Sequence, residues 1–242
     1  MVGMLLWKSP GKRERGGQLR ERSILHTRFL CTEIVRGPRT PEAVLRRRVM
    51  AAVKRLRKHG VAQMVLPEDF PYGELLAKAG LRPVSTLPLR RAIAADWVRW
   101  SLREREIPPA GARVGVCAAA LTGDVVRTVT ELALRHRYVL LDLPYGGEEL
   151  ARQLRREYGV SLLLAPSQEQ LDGAEALALF DPRTDCAGPG RLRLYDEAAP
   201  LPPLSLPPAL EEKLPEGVQR GQLLAVLREA GSLQPGQLSV GT

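Results

Sequence analysis

The sequence predicts an α/β fold, a mostly parallel sheet with flanking helices in the C-terminal half, plus a smaller N-terminal α/β unit. Two observations lead there. From Arg113 to Leu164, short apolar runs alternate with amphipathic helical stretches, the rhythm of parallel strands joined by crossover helices. The run Tyr138-Val139-Leu140-Leu141-Asp142 is almost wholly apolar, as expected of a central strand covered on both faces. A chain of 242 residues, 44% hydrophobic, can bury a substantial core as one large domain or two small ones.

Taken in order, Met4 to Lys8 and Ser23 to Thr32 read as strands separated by a polar, glycine-bearing loop from Pro10 to Gln18. Thr40 suits the N-cap and Pro41 the first turn of a helix that runs to His59 and stops at Gly60. Its Leu45, Val49, Ala52, Val53 and Leu56 fall on one side, with Arg47, Lys54, Arg57 and Lys58 opposite. Val61 to Leu66 is a short strand, Tyr72 to Ala79 a short helix, and Arg82 to Thr86 a further strand. Leu89 to Glu106, which carries Trp97 and Trp100, reads as one helix stopped by Pro108-Pro109.

The regular part follows. Strands are expected at 113–117, 138–142, 160–164, 176–180 and 191–195, and helices at 124–137 and 148–158. Six prolines between Glu197 and Pro215 suggest an extended connector, Gln219 to Ala230 a last helix, and Gly231 onward a loose tail. The expected division is therefore a basic α/β unit over 1–88, a linking helix over 89–110, a regular α/β unit over 111–196, and connector, helix and tail over 197–242. One continuous mixed sheet is the alternative.

Composition narrows the classes. No apolar stretch approaches the ~20 residues of a membrane helix, and the apolar start is too short, and followed rather than preceded by Lys8, for a secretory signal. Cys31, Cys117 and Cys186 are odd in number and form no CxxC pair, which argues against a disulfide framework or a metal site and suits the cytoplasm. Residues 1–60 hold 16 basic and 4 acidic side chains, a net +12 in a chain of net +9. Such asymmetry raises a polyanionic partner as a possibility, through Arg47, Lys54, Arg57 and Lys58, with Lys8, Lys12, Arg13, Arg15, Arg20 and Arg22 nearby in sequence.

The strand, helix, strand and terminal acid from Arg113 to Leu164 resemble the Rossmann-like superfamily. That resemblance implies ligand binding at the carboxyl ends of the strands, and Gly115, Gly123, Asp142, Tyr145 and Gly146 are its candidate ligand residues. The phosphate-binding G-x-G-x-x-G pattern is incomplete: Gly115 is followed by Cys117 and Ala120 where the second and third glycines belong. Asp124, at the start of the next helix, competes with a phosphate for free N–H groups. No cofactor and no NAD or NADP binding are expected. Cys117 reads as a buried apolar residue rather than a nucleophile, and Asp181, Asp185 and Cys186 as a polar turn.

The functional reading is a non-catalytic protein, or one binding a small ligand in a crevice between its two halves. A nucleotide-dependent or dinucleotide-dependent enzyme built around Gly115, Gly123 and Asp142 is the second reading. A polyanion-binding or nucleic-acid-binding protein is the third.

Overall fold

The computed structural model describes residues 1–10 and 17–241. Lys12, Arg13 and Arg15 lie outside the described residues. The chain forms two compact units, Met1–Thr86 with Leu206–Leu238, and Leu87–Ser205 with Ser239–Thr242. Each has its own five-stranded sheet, so the β-structure is not one continuous sheet.

The first unit begins with β1 (Val2–Lys8), β2 (Leu19–Ile24) and β3 (Thr27–Val35), followed by α1 (Glu42–Lys58), β4 (Gln63–Val65), α2 (Gly73–Lys78) and β5 (Arg82–Pro83). The strand order is β2-β3-β1-β4-β5, parallel throughout except for β2, which pairs antiparallel with β3. The single strand expected over Ser23–Thr32 is a hairpin. Leu25 (φ 45°) and His26 (φ 70°) both take positive φ, the requirement of a two-residue type I′ turn whose twist matches the flanking strands. His26 is thus an exposed turn residue rather than part of a strand.

α1 buries Leu45, Val49, Ala52, Val53 and Leu56 in a cluster with Leu5, Leu30, Ile34, Met64 and Leu76. Its N-cap is Pro41, with no side-chain cap bond. Thr40 instead accepts from the Gly37 N–H at 2.9 Å, closing the preceding turn.

The second unit starts with α3 (Leu87–Ala92) and α4 (Ala94–Glu104), where one helix was expected. The break falls at Ile93, which leaves helical geometry at φ −97°, ψ 10°. Next come β6 (Arg113–Cys117), α5 (Gly123–Ala133), β7 (Tyr138–Asp142), α6 (Gly147–Tyr158), β8 (Leu163–Leu164), α7 (Gln168–Asp172), β9 (Ala176–Leu179) and β10 (Arg191–Arg193). All pairs in the order β10-β9-β6-β7-β8 are parallel. Counted from β6, that order is 3-2-1-4-5, a Rossmann-like arrangement. β6 rather than β7 is the middle strand, and the inner residues Val139, Leu140 and Leu141 of β7 are each about 1% exposed.

After β11 (Leu204–Ser205), the chain forms α8 (Pro208–Glu211) and α9 (Arg220–Glu229) as part of the first unit. Gln222 of α9, itself buried, accepts from the Leu66 N–H at 2.9 Å. The expected loose tail is ordered: a 3-10 turn at Pro235–Gln237 leads to β12 (Ser239–Val240), antiparallel to β11 in the second unit.

Candidate functional site

In an open parallel sheet, ligands bind beyond the carboxyl ends of the strands where the connections change direction. In the second unit the chain runs β6 to β7 to β8 on one side, then returns to β9 on the other, so the change falls between β6 and β9.

Three loops meet at this edge. The loop after β6 continues the ladder, with the Ala118 N–H donating to the Asp142 carbonyl at 3.1 Å. The next N–H, of Ala119, donates to Asp181 Oδ2 at 2.7 Å. Asp181 follows β9, so its carboxylate reaches from the end of β9 to the loop after β6 and takes that amide. Thr122 then caps α5 by accepting from the Val125 N–H at 3.3 Å, and Asp124 pairs with Arg127 at 2.8 Å.

Arg183 completes the closure. Its guanidinium binds Asp142 at the end of β7 and grips Asp185 with two bonds, Nε to Oδ1 at 2.9 Å and Nη2 to Oδ2 at 2.5 Å. The Arg183 side chain is 24% exposed and that of Asp142 29%, so the pair is shielded more than an ordinary surface ion pair. The bond to Asp185, then that to Asp142, raise the Arg183 pKa against the opposing effect of burial. Arg183 in turn lowers the pKa of Asp185. The acid that would hold a ribose therefore holds an arginine.

The other expected residues separate. Gly115 sits inside β6, where an added Cβ would lie 2.7 Å from Leu177 Cδ2 and 3.2 Å from the Leu140 carbonyl oxygen. It admits close strand packing and lies away from the strand end. Gly123 opens α5 with free space about its Cα. Gly146, at φ 80°, is the N-cap of α6, a backbone that side chains rarely adopt. A Cβ there would lie 3.0 Å from Leu121 Cδ2, so the loops after β6 and β7 touch. Tyr145 beside it is 84% exposed and Leu121 40%. Asp142, Tyr145 and Gly146 thus share the edge. Arg183, unnoticed in the sequence, joins them.

Beneath the edge lie Cys117 and Cys186 in an apolar cluster with Leu140, Leu177 and Leu179. Burial pushes the Cys117 thiol up to about 12, with nearby Arg183 opposing, and burial also raises Cys186. Neither is a thiolate near neutral pH, and a thiol is a poor nucleophile. Among the described residues, no group of three or more His, Cys, Asp or Glu is placed to hold a metal ion.

In the first unit, Arg47, Lys54, Arg57 and Lys58 are exposed on α1. A cleft of about 420 Å³ in the same unit is lined by Glu68, Glu211, Glu212, Glu216 and Arg220 among others. Its acidic lining has the wrong sign for a polyanion. No helix among the described residues is long and apolar enough to cross a membrane.

No family model matches the chain, and no curated protein matches it. Among solved structures, it is similar to the L-tryptophan dehydrogenase from Nostoc punctiforme at 14% identity and a TM-score of 0.28, over 62% of this chain. The match spans 44% of that dehydrogenase's length.

Proposed function

We propose that the protein acts by binding rather than by catalysis, and that its second unit is a Rossmann-like scaffold closed to dinucleotides. The observation that supports this is the Asp181–Ala119 and Asp142–Arg183–Asp185 network across the carboxyl edge. A pyrophosphate needs bare, free backbone amides at the turn after the first strand. Here Asp181 takes one of them. A ribose needs a free acid at the end of the second strand, and Asp142 is engaged. A small ligand at this edge would meet the exposed Tyr145 and Leu121 and the partly exposed Arg183.

The second reading, a nucleotide-dependent enzyme, draws on one specific observation, the 3-2-1-4-5 strand order. Thermal melting separates the two. A ligand at 100 times its dissociation constant stabilises the folded state by about 2.7 kcal/mol, a readily measured shift. No shift is expected with millimolar NAD or NADP. A saturable shift that disappears in Asp142→Asn would replace the binding reading with the enzyme reading.

A further inference from the structure

We propose that the outer face of α1 docks the phosphate backbone of duplex nucleic acid, with Arg47, Lys54, Arg57 and Lys58 making the contacts. At about 100° and 1.5 Å per residue, Arg47, Lys54 and Lys58 fall within about 40° of one another, separated by about 10.5 and 6 Å along the axis. They form a straight cationic stripe opposite the buried Leu45, Val49 and Leu56, and Arg57 flanks it.

What distinguishes these four is that they are unspent. The other arginines of α1 are engaged: Arg46 with Glu74, Arg48 with the Val35 carbonyl at 2.6 Å, and Arg55 with the Gly17 carbonyl. Arg47, Lys54, Arg57 and Lys58 have no ion pair or side-chain hydrogen bond among the described residues. The acids of α1 and α2 do not neutralise them either, because Glu42 accepts from the Tyr72 hydroxyl at 3.0 Å and Glu74 holds Arg46. Favourable interaction with the helix C-terminus accounts for Arg57 and Lys58, but Arg47 and Lys54 lie too far up the helix to feel it.

The partner's chemistry follows from what else the unit offers. A membrane-surface helix needs an apolar face to bury in lipid, and the apolar face of α1 is already in the core. Single-stranded nucleic acid is held by rings that stack on bases. Here Trp7, Phe70 and Tyr72 pack on one another, with ring centroids 5.6 to 6.3 Å apart, and Arg36 covers Trp7. Cations without stacking platforms bind backbone phosphates, which fix position without reading sequence.

The test is anisotropy of the full chain with labelled duplexes of about 20 base pairs and unrelated sequence, between 50 and 200 mM KCl. Four neutralised phosphates give a slope of log affinity on log salt near −3.6, and about a hundredfold loss across that range, the same for each sequence. Lys54→Gln with Lys58→Gln should flatten the slope by about 1.8 while leaving the melting temperature unchanged, and the Lys54→Arg, Lys58→Arg pair should restore it. Absence of binding at 50 mM, or a slope the glutamine pair does not alter, overturns the proposal. So does binding to phosphatidylserine–phosphatidylcholine vesicles without binding to duplex.

Discussion

Gly115 and His136 show how single residues set local constraints. An alanine at 115 would drive its methyl into Leu177 and against the Leu140 backbone, and overpacking of this kind costs about 1–3 kcal/mol. Gly115→Ala should therefore lower the denaturation midpoint of the second unit. His136 is 6% exposed, its Nδ1 is 3.3 Å from the Pro109 carbonyl, and its Nε2 has no hydrogen-bond partner. Burial, aided by Arg99 and Arg135, lowers its pKa below the ordinary 6.5, against the opposing Pro109 bond. The unfolded chain then takes up the proton first, so this contribution to stability is full above pH 6.5 and is lost as pH falls through the folded pKa. Melting from pH 7.5 to 5 should show a smaller loss in His136→Gln than in the natural protein. An equal loss would show that His136 binds its proton equally in the folded and unfolded states, with no shift on folding. At this scale the sequence was partly legible. Asp142 could be placed because a strand end is local information, but Arg183 could not, since its partner lies 41 positions away.

Among the elements, long periodic segments were readable and short turns were not. The five apolar positions of α1 and those of α5 repeat at helical spacing, and the helices formed over them. The β2–β3 turn has neither Asn nor Gly to announce it; the pairing of nine-residue β3 with β2 holds Leu25 and His26 in positive φ. Replacing Leu25-His26 by Asn-Gly removes that backbone strain and should raise the stability of the first unit by about 1 kcal/mol. An unchanged urea midpoint would mean that the turn is not strained. The same contrast explains the C-terminal end. Prolines mark residues 197–215 as irregular, and only tertiary contacts reveal that Pro202 and Leu206 are buried there or that β12 returns to β11.

For the whole molecule, the α/β character and the parallel pairing of β6 with β7 follow from hydrophobic rhythm. The membership of Leu206–Leu238 in the first unit does not, because it depends on pairings such as Gln222 with Leu66 across 156 positions. The closure of the second unit's carboxyl edge has the same origin: three loops far apart in sequence supply Ala119, Asp142 and the Asp181–Asp185 turn. That closure is the central claim, and a double-mutant cycle on Asp142→Asn and Arg183→Gln tests it most directly. Urea unfolding followed by Trp97 and Trp100 fluorescence in a Trp7→Phe background reports on the second unit, which holds both tryptophans. The account predicts a coupling energy of at least about 0.5 kcal/mol, as for partners in one network, shrinking as salt is added. Additivity within about 0.3 kcal/mol would mean that Arg183 does not close the edge, and would contradict the account.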